Sequence, residues 1–360
     1  MKFSLTLSAL LLLAASTWAS CQDDPLPEPR RDFRYALATI DDATIYNNLQ
    51  VPLPKLLNQA LIEPSFDFRY KPHWSFSSSL VGVADRYTDT YTQLRVKESY
   101  AGLSAGDFDF MAGRRIVRWG TGYAFTAAGV FDPPRIPTNP NDRLNLNEGR
   151  DMVKVDFVHG PHALTAAWSS AALAPSSERL HDTTAFRYNV LLRGFDTSLI
   201  AGDDRGGDAF GGLTFTRVLG EAWEIHGEAA WREHEAILFG AKYTTSSGIT
   251  FIGEFFTPPN IPYYQDVTIY PLIGRQHYLF LHAGKTRLRE LPEWKQWDLA
   301  ASAVANLNDR GYTAILDATR RFGNHFSSYL HMEVPVGSQT SEYGATPYSS
   351  ATSVGVRFQL

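Results

Sequence analysis

Along most of the chain, apolar and polar residues alternate with a period of two rather than the 3.6 of a helix. The clearest stretch starts at Trp223. One phase holds Trp223, Ile225, Gly227, Ala229 and Trp231; the other holds Glu224, His226, Glu228, Ala230 and Arg232. Eight residues rising ~3.3 Å each and tilted ~40° span roughly 20 Å, close to the ~25 Å apolar band of a membrane barrel. Phe66, Phe68 and Tyr70 alternate with Asp67 and Arg69, and Val153, Val155 and Phe157 with Lys154 and Asp156. Phe186, Tyr188, Val190 and Leu192 alternate with Arg187, Asn189 and Arg193, and Tyr312, Ala314, Leu316 and Ala318 with Thr313, Asp317 and Thr319. One such strand fits a sandwich as well as a barrel. Their number, spread over the whole chain, predicts one large closed sheet.

The connections alternate in length. Lys71-Pro72, Ala105-Gly106, Gly160-Pro161, Arg193-Gly194, Ser246-Ser247-Gly248 and Gly323-Asn324 are tight turns. Arg118 to Gly149, Leu173 to Asp182, Thr257 to Gly274 and Gly337 to Ser350 are long. Short periplasmic turns and long outer loops produce this alternation. Asn308 to Gly311 and Arg287 to Glu293 run against it in length. The expected fold is all-β: a closed antiparallel transmembrane β-barrel of about 16–18 strands over residues 32–360. The first strand is expected near Phe33 to Thr39. Pro52-Leu53-Pro54 followed by Lys55 to Leu61 reads as a loop with a short helix. Glu98 falls in phase with Leu94, Val96 and Tyr100, which predicts a bulge.

The N-terminus reads as an export signal over residues 1–21. Lys2 supplies a positive start, Leu5 to Ala15 an apolar core, and Ala19 and Ser20 the small residues before cleavage. Cys21 is the only cysteine. Cleavage after Cys21 leaves no thiol, cleavage after Ala19 leaves an unpaired one, and lipidation of Cys21 is the third reading. Residues 22–31 read as a periplasmic lead-in. Beyond the leader no apolar stretch reaches the ~20 residues of a membrane helix. Aromatic content is 13%, which suits two interfacial belts. Formal charge is −5, and loss of the leader removes Lys2 and no acid, giving −6. That balance lacks the basic footprint of nucleic-acid binding.

The final strand places Val354, Val356, Phe358 and Leu360 on one face and Ser353, Gly355, Arg357 and Gln359 on the other. It resembles the C-terminal insertion signal read by the outer-membrane barrel assembly machinery. Ser353, Gly355 and Phe358 match that pattern, and Leu360 stands where its terminal aromatic would be. A second resemblance lies at Gly113-Arg114-Arg115-Ile116-Val117-Arg118-Trp119-Gly120, followed by Asp132-Pro133-Pro134 and Asn139-Pro140-Asn141-Asp142. This is similar to porin-like outer-membrane families and, more distantly, to alginate-export-type barrels. The resemblance implies a barrel with a pore-narrowing loop and names no substrate.

Catalytic signatures are weak. Gly102-Leu103-Ser104-Ala105-Gly106 fits the Gly-x-Ser-x-Gly elbow, but Asp107-Phe108-Asp109-Phe110 after it is strand-patterned, where the elbow needs a helix. It reads as a hairpin turn, and the chain is not expected to be an enzyme. Gly120-Thr121-Gly122 lacks the third glycine and the helix of a nucleotide loop and reads as a bend. Asp203-Asp204-Arg205-Gly206-Gly207-Asp208 reads as a solvated turn, with a divalent cation bridging lipopolysaccharide phosphates as the other reading. His159 and His162 lack a third ligand. No metal or cofactor is expected.

On this phasing Asp67, Arg69, Lys154, Asp156, Arg187, Glu224, Glu228, Arg232, Asp298, Asp317, Arg321 and Glu333 face inward and line a pore. Their mixed signs fit either paired charges filling a wet interior or a transverse field across a narrowed channel. The long loop 118–149 is the expected constriction, carrying Arg118, Asp132, Arg135, Asp142 and Arg143. The expected function is a porin-like outer-membrane channel for passive diffusion of small polar solutes. Polysaccharide export or surface assembly is the alternative, which an aromatic lumen at Phe256, Tyr278, Phe280 and Tyr329 would serve; a plugged structural barrel is a third. Expected partners are outer-membrane lipid, lipopolysaccharide and the assembly machinery through Ser353 to Leu360.

Overall fold

In the computed structural model the described residues are 31–51, 55–70, 73–86, 90–139, 144, 146–170, 182–204, 209–232, 235–258, 277–287 and 296–360. Eighteen strands form one sheet. In chain order they are β1 (Arg31–Asn47), β2 (Leu56–Tyr70), β3 (Trp74–Arg86), β4 (Thr90–Ala105), β5 (Phe108–Arg115), β6 (Arg150–His159), β7 (His162–Ser169), β8 (Thr183–Leu192) and β9 (Phe195–Asp204). They continue with β10 (Ala209–Leu219), β11 (Trp223–Trp231), β12 (Glu235–Thr244), β13 (Ile249–Thr257), β14 (Tyr278–Lys285), β15 (Trp297–Asn306), β16 (Tyr312–Phe322), β17 (Phe326–Val336) and β18 (Ser350–Gln359). Every strand pairs antiparallel with its neighbours in sequence, and β18 pairs with β1 from Ala38↔Gln359 to Asn47↔Ser350. Closure leaves no sheet edge. Among the described residues no helix is long and apolar enough to cross a membrane, which says nothing of a barrel that crosses with strands.

Residues opposite one another in a ladder share a face. The rows therefore carry a single inside and outside around the whole ring. Leu94, Phe186, Leu199, Phe239, Leu281 and Val354 are among the large apolar side chains exposed outside. Aromatic pairs belt the outer face near the short turns: Phe33–Phe66 at 5.1 Å, Phe108–Phe157 at 4.9 Å, Trp223–Tyr243 at 4.6 Å and Phe322–Phe326 at 5.6 Å between ring centroids. Turn glycines at 106, 160, 194, 248 and 323 have positive φ, which the tight hairpins require.

Two local expectations meet different outcomes. The β3–β4 register shifts between Ser79, opposite Glu98, and Leu80, opposite Val96, so Lys97 is the extra residue of a bulge. That restores the phase broken at Glu98, and Lys97 turns to the inner face to pair with Glu63 at 3.0 Å. The short helix expected over 55–61 does not form. Leu56 to Leu61 are strand, paired with Ile45 to Ile40 on one side, with Leu57 and Leu61 buried inside. β1 also runs well past Thr39, to Asn47. The leader and lead-in fall outside the described residues, except Arg31, which begins β1.

Candidate functional site

Between β5 and β6, the described residues of the segment 116–149 (116–139, 144 and 146–149) do not extend away from the barrel; they fold into it. Two wall carboxylates hold the segment. Glu228 on β11 accepts the backbone N–H groups of Thr121 (2.5 Å), Gly122 (2.8 Å), Ala127 (2.7 Å) and Ala128 (2.8 Å). It also accepts the Thr126 hydroxyl at 3.1 Å. Glu254 on β13 accepts the N–H groups of Tyr123, Ala124 (2.8 Å) and Phe125 (3.3 Å) and lies 3.0 Å from His226 Nε2. The side chains of Glu254 and His226 are fully buried. A segment with no regular structure leaves its N–H groups unpaired, and a buried donor without an acceptor costs about 1–3 kcal/mol. Charged acceptors make the stronger bonds. Gly120 and Gly122 let the backbone come this close: a Cβ at Gly120 would overlap Thr126 and touch Glu228, and one at Gly122 would overlap Phe125 and Leu238.

A third carboxylate works inside the segment. Asp132 accepts Trp119 N at 2.6 Å and Gly120 N at 3.3 Å and pairs with Arg135 at 3.2 Å. Burial pushes the Asp132 carboxyl above its ordinary range, opposed by the Trp119 N–H and the Arg135 charge. Tyr123 donates its hydroxyl to Glu224 (2.9 Å) and accepts from Lys242 (3.1 Å); burial raises its pKa above the ordinary value.

Apolar contacts complete the seating. Trp119, Ala128 and Phe131 pack with Met111, Met152, Ile200 and Phe210. Phe125 stacks on Phe256 at 4.9 Å and meets Tyr278 at 5.8 Å, in a cluster with Leu238, Phe280 and Val304. The returning limb sets Leu144 and Leu146 against Ile40, Leu61, Val81 and Val83. A second connection, between β17 and β18, joins in. Tyr343 packs against the Phe125 cluster, and Glu342 accepts Tyr278 Oη and Asn306 Nδ2, each at 2.8 Å. Burial holds the Glu342 carboxyl above its usual range, although both of these hydrogen bonds oppose the shift.

The twelve lumenal residues named from the sequence scatter over this inner surface. Asp67 and Arg69 face Arg34 and Asp32 near the short turns. Lys154 pairs with Asp156, which also accepts Thr165 Oγ1 at 2.6 Å. Arg187 donates to Ser198 at 2.9 Å. Arg321 pairs with Asp298, Asp317 lies 2.7 Å from His331, and Glu333 accepts Tyr348 Oη at 3.3 Å. Glu224 sits beside Lys242 at 3.8 Å. Glu228 does not border open lumen, because the segment's backbone covers it. Arg232 lies past the end of β11, exposed, with its guanidinium 4.9 Å over the Phe210 ring. Of the segment residues, Arg118 is exposed and Asp132 and Arg135 are joined; Asp142 and Arg143 lie outside the described residues. The inward aromatics Phe256, Tyr278 and Phe280 are buried beneath Phe125 and Tyr343, and Tyr329 Oη donates to Asp42 at 2.5 Å.

Glu254, His226 and Lys97 were not singled out from the sequence. Glu254 is the one charged residue of β13 and stands in the inward phase with Ile252 and Phe256, which is the signal that was available. The serine elbow is the β4–β5 hairpin: Gly106 has φ 59°, Ser104 Oγ bonds Asp109, and His73 reaches the Ser104 carbonyl rather than its hydroxyl. His159 and His162 turn to different partners, Asp107 (3.0 Å) and Tyr188 (2.7 Å). The Asp203–Asp208 cluster lies mostly outside the described residues.

No protein-family model matches this chain, and no curated protein does. Solved structures do. OccK5 (OpdH) of Pseudomonas aeruginosa superposes with a TM-score of 0.60 at 9% identity, over 91% of this chain and 98% of that one. A triple mutant of the Rhodopseudomonas blastica porin superposes with a TM-score of 0.54 at 9% identity, over 91% and 100%. At such identity the likeness is one of fold: the chain shares the closed antiparallel barrel of these proteins along nearly its whole length.

Proposed function

We propose that the protein is a porin-like channel of the bacterial outer membrane, admitting small polar solutes by passive diffusion through a lumen narrowed by the segment 116–149. The observation that carries this reading is the seating of that segment on Glu228 and Glu254. A strand connection anchored across the interior by seven backbone N–H donors divides the lumen while leaving the wall intact. The surroundings support it. An outer face of exposed Leu, Phe, Val and Ile, belted by aromatic pairs, suits lipid, and soluble monomers rarely expose so extensive an apolar surface. The polar inner face carries Asp67, Arg69, Lys154, Asp156, Arg187, Glu224, Asp298, Asp317, Arg321 and Glu333 as lining, with Arg118, Asp132 and Arg135 in the constriction. The fold it shares with a porin agrees, and a passive pore has no catalytic residues.

Single-channel recording in a planar bilayer tests the proposal, with heat-modifiable gel migration as the folding control. Discrete conductance steps are expected, and removal of residues 118–149 should enlarge them. A folded barrel that stays silent both with and without the segment would overturn the channel reading.

A further inference from the structure

The neck of the segment carries an electrostatic anomaly. β5 and β6 pair from Phe108↔Phe157 to Arg115↔Arg150, so the last rung before the chain leaves the sheet sets two arginines directly opposite each other. Both stand in the inward phase, in step with Met111, Lys154 and Asp156. Opposed Cβ atoms lie ~4.5–5.5 Å apart, and like charges at that spacing destabilise a ladder. A rung that closes a long excursion is where an oppositely charged pair would help most.

Nearby carboxylates form no ion pair with either arginine; their described contacts lie elsewhere. Glu148 serves Arg95 at 3.2 Å and Arg114 at 3.9 Å, and Asp151 serves Arg114 at 2.5 Å. Glu98 Oε1 accepts Ile116 N at 2.8 Å, and Glu63 is paired with Lys97. Among the described residues Arg115, Arg150 and the exposed Arg118 have no carboxylate partner. The Arg115 guanidinium carbon sits 4.6 Å from the centre of the Tyr100 ring, a cation–π contact that holds the group without neutralising it. A half-buried Arg115 seated over a ring, with a half-buried Arg150 opposite it on the ladder and neither in an ion pair among the described residues, is suited to bidentate capture of a carboxylate or phosphate.

We propose that Arg115 and Arg150, assisted by Arg118, form an anion-binding site at the root of the segment and that it recruits solutes bearing a carboxylate or phosphate. As a statement about the permeating solute this rests on the channel reading; as a binding site it stands without it. A bound anion bridges the two forks and turns the closing rung from repulsive to attractive.

The test uses the refolded full-length barrel in detergent, with inorganic phosphate and malonate as probes. Calorimetric titration should show binding of either anion by the wild type and at least a tenfold loss in R115Q/R150Q. Thermal unfolding gives a second readout: phosphate should raise the wild-type midpoint and leave that of the single variant R150Q unmoved, whereas without anion R150Q should melt no lower than wild type. Equal binding by wild type and the double variant, or no binding by the folded wild type, would overturn the site. In bilayers the wild type should prefer anions under a salt gradient and the double variant should lose that preference. Silence there, with phosphate binding intact, would count against the channel and not against the site. Binding with conductance but no anion preference would overturn the claim about the solute alone.

Discussion

On β11 and β13, Glu228 and Glu254 are buried and spend their oxygens on backbone N–H groups of another part of the chain. On β1, Asp32 and Arg34 form an ion pair at 3.0 Å with the Arg34 side chain 72% exposed. Both sets are inward-facing charges in alternating strands. What separates them is cover. Under the segment each carboxylate meets several fixed donors and little water, so its bonds are strong and their loss leaves orphaned groups. At the open end near the short turns water competes for both partners, and such pairs are worth about 0–1 kcal/mol.

The comparison breaks most sharply at Glu228. Replacing it with Ala removes the acceptor for four backbone donors, and we expect a loss of roughly 3 kcal/mol or more, with the segment released. Limited proteolysis should then cut within 116–149, where the wild type resists. Phe125→Ala, which empties the contact with Phe256 and Tyr278, should cost about 3 kcal/mol, less whatever the segment recovers by resettling; denaturant unfolding measures it.

Asp132→Asn is expected to cost about 1–2 kcal/mol at neutral pH and to change the pH profile. Burial raises the folded-state pKa of Asp132 above its unfolded value, so the folded state binds more protons between the two. The contribution of this group to stability therefore falls as pH rises through that window from the ordinary carboxylate range, and is recovered on acidification. Thermal melts from pH 4 to 7 should show this slope in the wild type and a flatter one in D132N. Smallest of all, Arg34→Gln should shift stability by less than ~1 kcal/mol, and a larger drop would erase the distinction between the two regions.

The strands were legible because each carries its own period. Val354 to Leu360 and Trp223 to Trp231 declare their faces without reference to any partner. The fault at Glu98 announced a bulge for the same local reason. The segment's seat was not legible. The bond from Ala124 N to Glu254 spans 130 residues, and nothing within nine residues of β13 says that its carboxylate will receive a loop rather than water. Alternation places Glu228 on the inside and is silent on whether the inside is covered there. The helix expected over 55–61 failed for a related reason: Leu57 and Leu61 suit a helix face as well as a strand, and pairing with β1 decided between them.

The seating of the segment also sets an order of events. Residues 116–149 connect the fifth and sixth strands, yet the side chains that receive them arrive about a hundred residues later. The ring closes only when the eighteenth strand meets the first. A chain that sealed its seam before the eleventh and thirteenth strands had captured the segment would hold those donors outside a finished wall. Assembly must therefore load the interior while the sheet is still an open ribbon, and carboxylates that reward early capture guide the path as well as stabilising its end.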